Sequence, residues 1–424
     1  MKDSHHFYTR RRFLRTSLLG GALAWTVPSF IDQTFLTMNA TAQNSVLQTS
    51  TGRDNPILVI LQLAGGNDGL NTVVPVGNDI YYKSRPTLAL PKADCLSINQ
   101  EIALHPALKN LRRLYDDGRM SLLQNVGYPN ANRSHFRSME IWQTASDANE
   151  TLGDGWLGRY FDNACSGEGA TVGVSMGDQL PQSFQSHSGK GIAVSSRAGG
   201  KRKDSFMDAD DNDGGSILEL ANPQQDPNQP GNSLDFLRRM DLDTRMSLEQ
   251  IERIIRKSPE PQGYPSNNLG AQFKIISRLI TGGMPTRIYY ASQGGYDTHI
   301  NQAGTQNRLL SELDNTLGAF IDDLKQHGVL DRVMIVTFSE FGRRVAENAN
   351  GGTDHGAAAP MFLLGGGIKP GVWGSAPDLK RLNRGDVSFE IDFRSVYASV
   401  LDRWLKTDSK AVLGRPFEHA KGVA

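Results

Sequence analysis

The stretch Pro56-Ile57-Leu58-Val59-Ile60-Leu61-Gln62-Leu63 limits the choice of fold more than any other part of the chain. It is short, almost wholly apolar and rich in branched side chains, without the apolar–polar alternation of a half-exposed strand. A strand of that kind must be covered on both faces, the condition of a parallel sheet sandwiched between helices. Met120 to Val126, Thr286 to Ala291, Arg332 to Phe338 and Met361 to Leu364 are similar runs. Helical periods lie between them. Leu309, Leu313, Leu317, Phe320, Ile321 and Leu324 share one face of a long helix. Asp392 is placed to cap a last helix carrying Val396, Tyr397, Val400, Leu401 and Trp404. The alternation predicts an α/β fold with a mostly parallel central sheet and helices on both faces. The helical segments Leu242 to Ile255 and Leu269 to Ile280 read as an excursion from that sheet.

The N-terminus carries an address. Thr9-Arg10-Arg11-Arg12-Phe13-Leu14-Arg15 is a paired-arginine head, followed by a mildly apolar stretch, Thr16 to Phe30, broken by glycines and Pro28. That stretch is too short and interrupted for a membrane span, which takes about 20 apolar residues. Ala40-Thr41-Ala42 supplies a small-x-small site, so a twin-arginine signal over residues 1–42 is expected, cleaved after Ala42. The expected location is periplasmic or otherwise exported, the twin-arginine translocation machinery is the expected partner, and no stable membrane span remains after cleavage. Residues 1–42 hold five basic and two acidic side chains of the 45 of each kind in the chain, leaving a formal charge of −3 on the remainder. No broad basic face for nucleic acid follows from that.

Residues 43–424 read as a single α/β domain, large enough to bury a core without disulfides. Cys95 and Cys165, the only cysteines, either pair in an oxidising compartment or remain buried thiols. An insertion at about 197–233 is poor in core-forming residues and is expected to be mobile. Its Asp208-Ala209-Asp210-Asp211-Asn212-Asp213 run resembles a calcium loop loosely, but Asp213 stands where glycine is required, and a solvated loop is the better reading.

In open α/β sheets ligands gather beyond the carboxyl ends of the strands. Four such places here are unusually polar. Asp68 lies in Gly65-Gly66-Asn67-Asp68-Gly69 after the first strand, although without the GxGxxG pattern of a dinucleotide site. Asp297 and His299 lie in Gly295-Tyr296-Asp297-Thr298-His299, and Glu340 and Arg343 in Ser339-Glu340-Phe341-Gly342-Arg343. Asp354 and His355 sit in the glycine-rich loop Gly351 to Gly356. Each has a structural reading alone, but carboxylates and imidazoles at several strand ends suit a divalent metal. The fourth place is Arg133-Ser134-His135 at a helix start, where Ser134 is both a natural N-cap and a hydroxyl in a positive end-field.

The twin-arginine leader, LQLAGGNDGLN at 61–71, NRSHFRSMEIW at 132–142, GYDTH at 295–299, FSEFGRR at 338–344, GTDHG at 352–356 and DFRSVY at 392–397 together resemble the exported bacterial DUF1501 family over essentially the whole chain. That family is distantly similar to the alkaline phosphatase/sulfatase superfamily. The resemblance implies an alkaline phosphatase-like fold and an exported, metal-assisted hydrolase of phosphate or sulfate esters. Ser134 would be the nucleophile, His135 a proton shuttle, and Arg133 or Arg343 a clamp on the oxyanion. Asp68, Asp297, His299, Glu340, Asp354 and His355 would hold one or two divalent ions. Departures are visible: one residue separates Asp297 from His299 where three are usual, and Glu340-Phe341 replaces an Asp-His pair. These favour an alternative, a non-catalytic exported protein that binds a partner or cell-surface ligand in the same crevice.

Overall fold

The computed structural model describes residues 55–195 and 233–424, with side chains from residue 243 onward in the second segment. The expected signal over 1–42 and residues 197–232 of the expected insertion, with the calcium-like run, lie outside the described residues. The chain divides into two compact units, residues 50–209 with 240–424, and residues 1–49 with 210–239. Of the second unit only 233–239 is described, as part of a helix, Ser233–Lys257.

The first unit is built on a nine-stranded sheet. In chain order its strands are β1 (Ile57–Leu63), β2 (Met120–Gly127), β3 (Gly173–Met176), β4 (Ile192–Val194), β5 (Ile288–Gln293), β6 (Val333–Phe338), β7 (Ala359–Gly365), β8 (Gly371–Trp373) and β9 (Ile391–Asp392). Across the sheet they run β8-β2-β7-β6-β1-β5-β3-β4, with β9 also on β2. Every pairing is parallel except the two made by β7, which is antiparallel to both β2 and β6. The sheet is therefore mostly parallel, as its β-branched runs require.

β1 lies at the centre, and all seven of its residues are buried. Its odd positions, Ile57, Val59, Leu61 and Leu63, enter one core layer with helices α1 (Lys109–Asp116), α4 (Asn268–Thr281) and α5 (Gln302–Gln326). Leu58 and Ile60 enter the opposite layer with α2 (His135–Thr144), α3 (Trp156–Ala164) and α6 (Phe393–Ser399). Two covered faces explain a run without alternation.

Two expectations need adjustment. The segment Leu269 to Ile280 is no excursion: as α4 it places Phe273, Ile276 and Leu279, all 0% exposed, in the first core layer. Their three-residue spacing is a helical stripe that only the sheet can cover. The cap of the last helix is present, with Asp392 accepting from the Arg394 N–H at 2.9 Å, but α6 passes into a π-helical turn at Val400–Trp404. Of the two readings left open for the cysteines the free-thiol one holds, with Cys165 buried and Cys95 half-buried.

The strand directions place the site. β1, β2, β5 and β6 run the same way, so their carboxyl ends share one edge of the sheet. β7 runs the other way and starts at that edge, which returns the loop 342–358 to the same place. Close approach of these turns requires glycine at two positions. Gly65 has φ +116°, and a Cβ there would stand 2.5 Å from the Asp297 nitrogen. A Cβ on Gly352 would stand 2.2 Å from the His299 carbonyl carbon.

Candidate metal centre

Asp297, carried by the turn after β5, is the hub. Its Oδ1 lies 2.8 Å from an Arg343 Nη2, 3.0 Å from His299 Nε2 and 3.2 Å from His355 Nε2, and its Oδ2 lies 3.4 Å from His135 Nε2. The three rings come from the turn after β5, the loop before β7 and the start of α2. The Nε2 atoms of His299 and His355 are 2.9 Å apart. One ligand atom from each of His135, Asp297 and His355 fits within a mutual distance of 4.8 Å.

Each ring is held from behind at Nδ1. His355 Nδ1 lies 2.7 Å from the Arg133 carbonyl oxygen. A carbonyl only accepts, so Nδ1 carries the proton and, in the neutral ring, the Nε2 lone pair faces Asp297. His135 Nδ1 lies 3.0 Å from Glu340 Oε1, which also accepts from the Gly65 N–H at 2.7 Å. His299 Nδ1 lies 3.3 Å from Asp354 Oδ1. The Phe341 ring packs against His135 and His355, with centroids 4.9 and 4.5 Å apart.

The electrostatics match this arrangement. Burial pushes the Asp297 carboxyl up, but the hydrogen bond and charge of the Arg343 guanidinium, with the adjoining His355 and His299 rings, outweigh it and bring it down to about 2. Burial pulls His355 below the ordinary imidazole value, outweighing its bonds to the Arg133 carbonyl and Asp297. A permanent anion and a neutral ring are the states a metal needs.

The donor set fits a divalent ion. The imidazole nitrogens of His135 and His355 with the Asp297 carboxylate, and His299 beside them, suit zinc or another borderline metal. The decisive atom is His135 Nε2, which is buried, aimed into the cluster and without a hydrogen-bond partner. It lies 3.4 Å from Asp297 Oδ2, close enough for an ion pair but not in hydrogen-bond geometry. A buried ring nitrogen left in that state needs a partner. The other side is open, with the Asp297 side chain 48% exposed and that of His299 39%.

Sequence reasoning brought Asp297, His299, Glu340, Asp354 and His355 to one place, and the structure refines their parts. Glu340 and Asp354 orient rings. His135, expected as a proton shuttle, has Nδ1 on Glu340 and Nε2 in the ligand cluster, so it is a ligand candidate. Asp68 does not join them. It is ion-paired with Arg85, both side chains being 0% exposed, and it caps the short helix Gly69–Thr72 by accepting from the Leu70 N–H. Neither arginine is a free clamp. Arg343 is 0% exposed in its side chain and donates to the carbonyls of Gly65, Gly66, Tyr296 and Thr353 as well as to Asp297. Arg133 donates to Asp386 and to the Arg384 carbonyl. Ser134 occupies the N-cap position of α2, but its hydroxyl makes no capping bond and the residue is exposed.

Two residues of this network escaped sequence reasoning. Arg85 lies in the polar stretch Lys83-Ser84-Arg85-Pro86, which reads as surface. Gln302, 0% exposed, donates through Nε2 to Asp68 Oδ2 and accepts from Thr353 at 2.6 Å. A glutamine on a helix carried no signal of burial.

Residues 56–415 match the family model described as "Protein of unknown function (DUF1501)". The chain belongs to the DUF1501 family. A search of curated proteins gives no match. Among solved structures, this DUF1501 chain is similar to the lipoteichoic acid synthase LtaP from Listeria monocytogenes, at 11% identity and a TM-score of 0.35 over 80% of this chain and 73% of that one. It is also similar to a protein in the alkaline phosphatase superfamily from Vibrio parahaemolyticus, at 12% identity and 0.36 over 91% and 78%. The PsFucS1 sulfatase from Pseudoalteromonas sp. gives 11% and 0.36 over 93% and 77%. Likenesses of this size carry no argument for a shared reaction, so the chemistry rests on the site's own atoms.

Proposed function

We propose that this DUF1501 chain is an exported, metal-dependent hydrolase of phosphate or sulfate esters with Ser134 as nucleophile. The supporting observation is the convergence of three imidazole Nε2 atoms on the Asp297 carboxylate, each ring anchored at its Nδ1. A divalent ion held there would polarise an ester and stabilise the charge that develops on its oxygens. The protein's own residues set the stage. Glu340, Asp354 and the Arg133 carbonyl fix the rings, as partners behind metal-binding histidines do. Ser134 stands between Arg133, whose carbonyl touches His355, and His135 itself. Its hydroxyl has no capping bond to break before it attacks. The ten-residue helix α2 adds a positive end-field favouring an anionic group at its start.

Ser134→Ala should lower turnover of aryl phosphates or sulfates at least about a thousandfold, the scale on which nucleophiles act. It should leave the melting temperature unchanged, because the usual cap contribution of about 1 kcal/mol needs a bond this hydroxyl does not make. Full activity in the variant would remove Ser134 from the reaction.

One observation favours a second reading. With Arg133 and Arg343 both committed to protein oxygens, neither is free to clamp an anionic ester. A non-catalytic exported protein that binds a surface ligand at the metal would need no such clamp. Metal content together with turnover of generic aryl phosphates and sulfates separates the two.

Export is supported by Arg10-Arg11 and the stretch that follows. No helix among the described residues is long and apolar enough to cross a membrane. Lysine at both Arg10 and Arg11 should retain unprocessed precursor in the cytoplasm on fractionation. Normal export of that double variant would sink the twin-arginine route.

A further inference from the structure

We propose that the centre takes a single ion, and that the buried Asp68–Arg85 pair supplies internally the charge balance that a second metal would give. The inference rests on reading the cluster as a metal site. It concerns how many ions the site holds, which the resemblance left at one or two.

Asp68, the strand-tip carboxylate expected among the ligands, is not available. Its Oδ1 accepts from Arg85 Nη2 at 3.0 Å and from the Leu70 N–H at 3.2 Å. Its Oδ2 accepts from Arg85 Nη1 and from Gln302 Nε2. Arg85 is equally committed. Its Nε donates to the Val345 carbonyl at 2.9 Å, Nη1 also to Asn71 Oδ1 at 2.8 Å, and Nη2 also to the Arg344 carbonyl at 2.8 Å. A guanidinium has five N–H donors, and here each has an acceptor. Freeing Asp68 would leave a charged guanidinium unpaired in a fully buried place.

The remaining donors serve one ion and no more. His135, Asp297 and His355 make a three-ligand set, with His299 Nε2 beside it at 2.9 Å from His355 Nε2. Glu340 Oε1 is shared by the Gly65 N–H and His135 Nδ1, and Asp354 Oδ1 by His299 Nδ1 and Asn348 Nδ2. A second ion would need about four further ligands. Charge points the same way. The Arg343 guanidinium, itself buried, stands 2.8 Å from Asp297 Oδ1. The aspartates after β1 and β5 therefore each carry a fixed guanidinium partner, and a second dication beside them would meet two buried positive charges.

The test is a titration of the purified full-length protein with zinc(II), counting ions per chain that survive gel filtration by elemental mass spectrometry. The wild type should saturate at one equivalent. Asp68→Asn should also saturate at one, with affinity within about threefold, because the substituted carboxylate is no ligand. Two tight equivalents in the wild type overturn the inference and leave the metal reading standing. Absence of any tight zinc removes both. Should the variant fail to fold, the wild-type endpoint decides alone, checked with cobalt(II), whose visible absorption should rise linearly and stop at one equivalent.

Discussion

Arg85→Ala should destabilise the protein by about 3–5 kcal/mol, the cost of leaving one partner of a buried ion pair uncompensated. The side chains of Arg85 and Asp68 are both fully buried. The guanidinium ties Asp68 to Asn71 and to the carbonyls of Arg344 and Val345, so it joins the turn after β1 to the loop after β6. Removing it leaves the Asp68 carboxylate with the Gln302 amide and the Leu70 N–H. Asp68→Ala should cost a similar amount for the converse reason. Replacing both, as Asp68→Asn with Arg85→Met, should cost less than the two single changes added, because neither partner is then left charged and alone. Urea denaturation of the four proteins measures this. A loss below about 1 kcal/mol in Arg85→Ala would mean that the pair behaves like an exposed one.

What was legible beforehand follows the range of the interactions. β1 announced its two covered faces because burial on both sides leaves seven consecutive positions without a solvent-facing one. The long helix carrying Leu309 to Leu324 showed its period for the same local reason. The loop holding Asp354 and His355 was legible as polar and glycine-rich, but nothing in it says that β7 runs antiparallel. That reversal is what returns the loop to the strand ends. Asp68 looked like a ligand because its neighbour sequence is a strand-end glycine turn. Its actual partner, Arg85, is only 17 residues away, yet the intervening sequence reads as surface. The position of Ser134 at the start of α2 was readable, whereas the direction of its hydroxyl depends on a rotamer. His135 was singled out for its neighbour Ser134, and its place in the cluster depends on Glu340, 205 positions away.

His355→Ala and Asp297→Asn should each weaken zinc(II) binding far more than changes behind the ligands. Loss of an orienting partner typically costs about 10- to 100-fold in metal affinity, so Glu340→Gln, which acts on His135 through Nδ1, should fall in that range. The two direct replacements should fall beyond it, since each removes a donor from the His135, Asp297 and His355 set. The acid limb of binding should come from the rings. Asp297 stays ionised down to about pH 2, because the Arg343 guanidinium holds its anion. Burial pulls His355 below the ordinary imidazole value of about 6.5, and a proton on its Nε2 excludes the metal there. Affinity should therefore be full above neutrality and decline as pH falls below about 6.5. The hydrogen bond from Arg343 to Asp297 supports this order of events. Isothermal titration calorimetry with zinc(II) across pH 5 to 8, for the wild type and the three variants, measures both effects. If Glu340→Gln and His355→Ala weaken binding equally, His355 acts no more directly than Glu340 and the cluster is not the coordination sphere. If affinity does not change across pH 5 to 8, the ligands are not imidazoles.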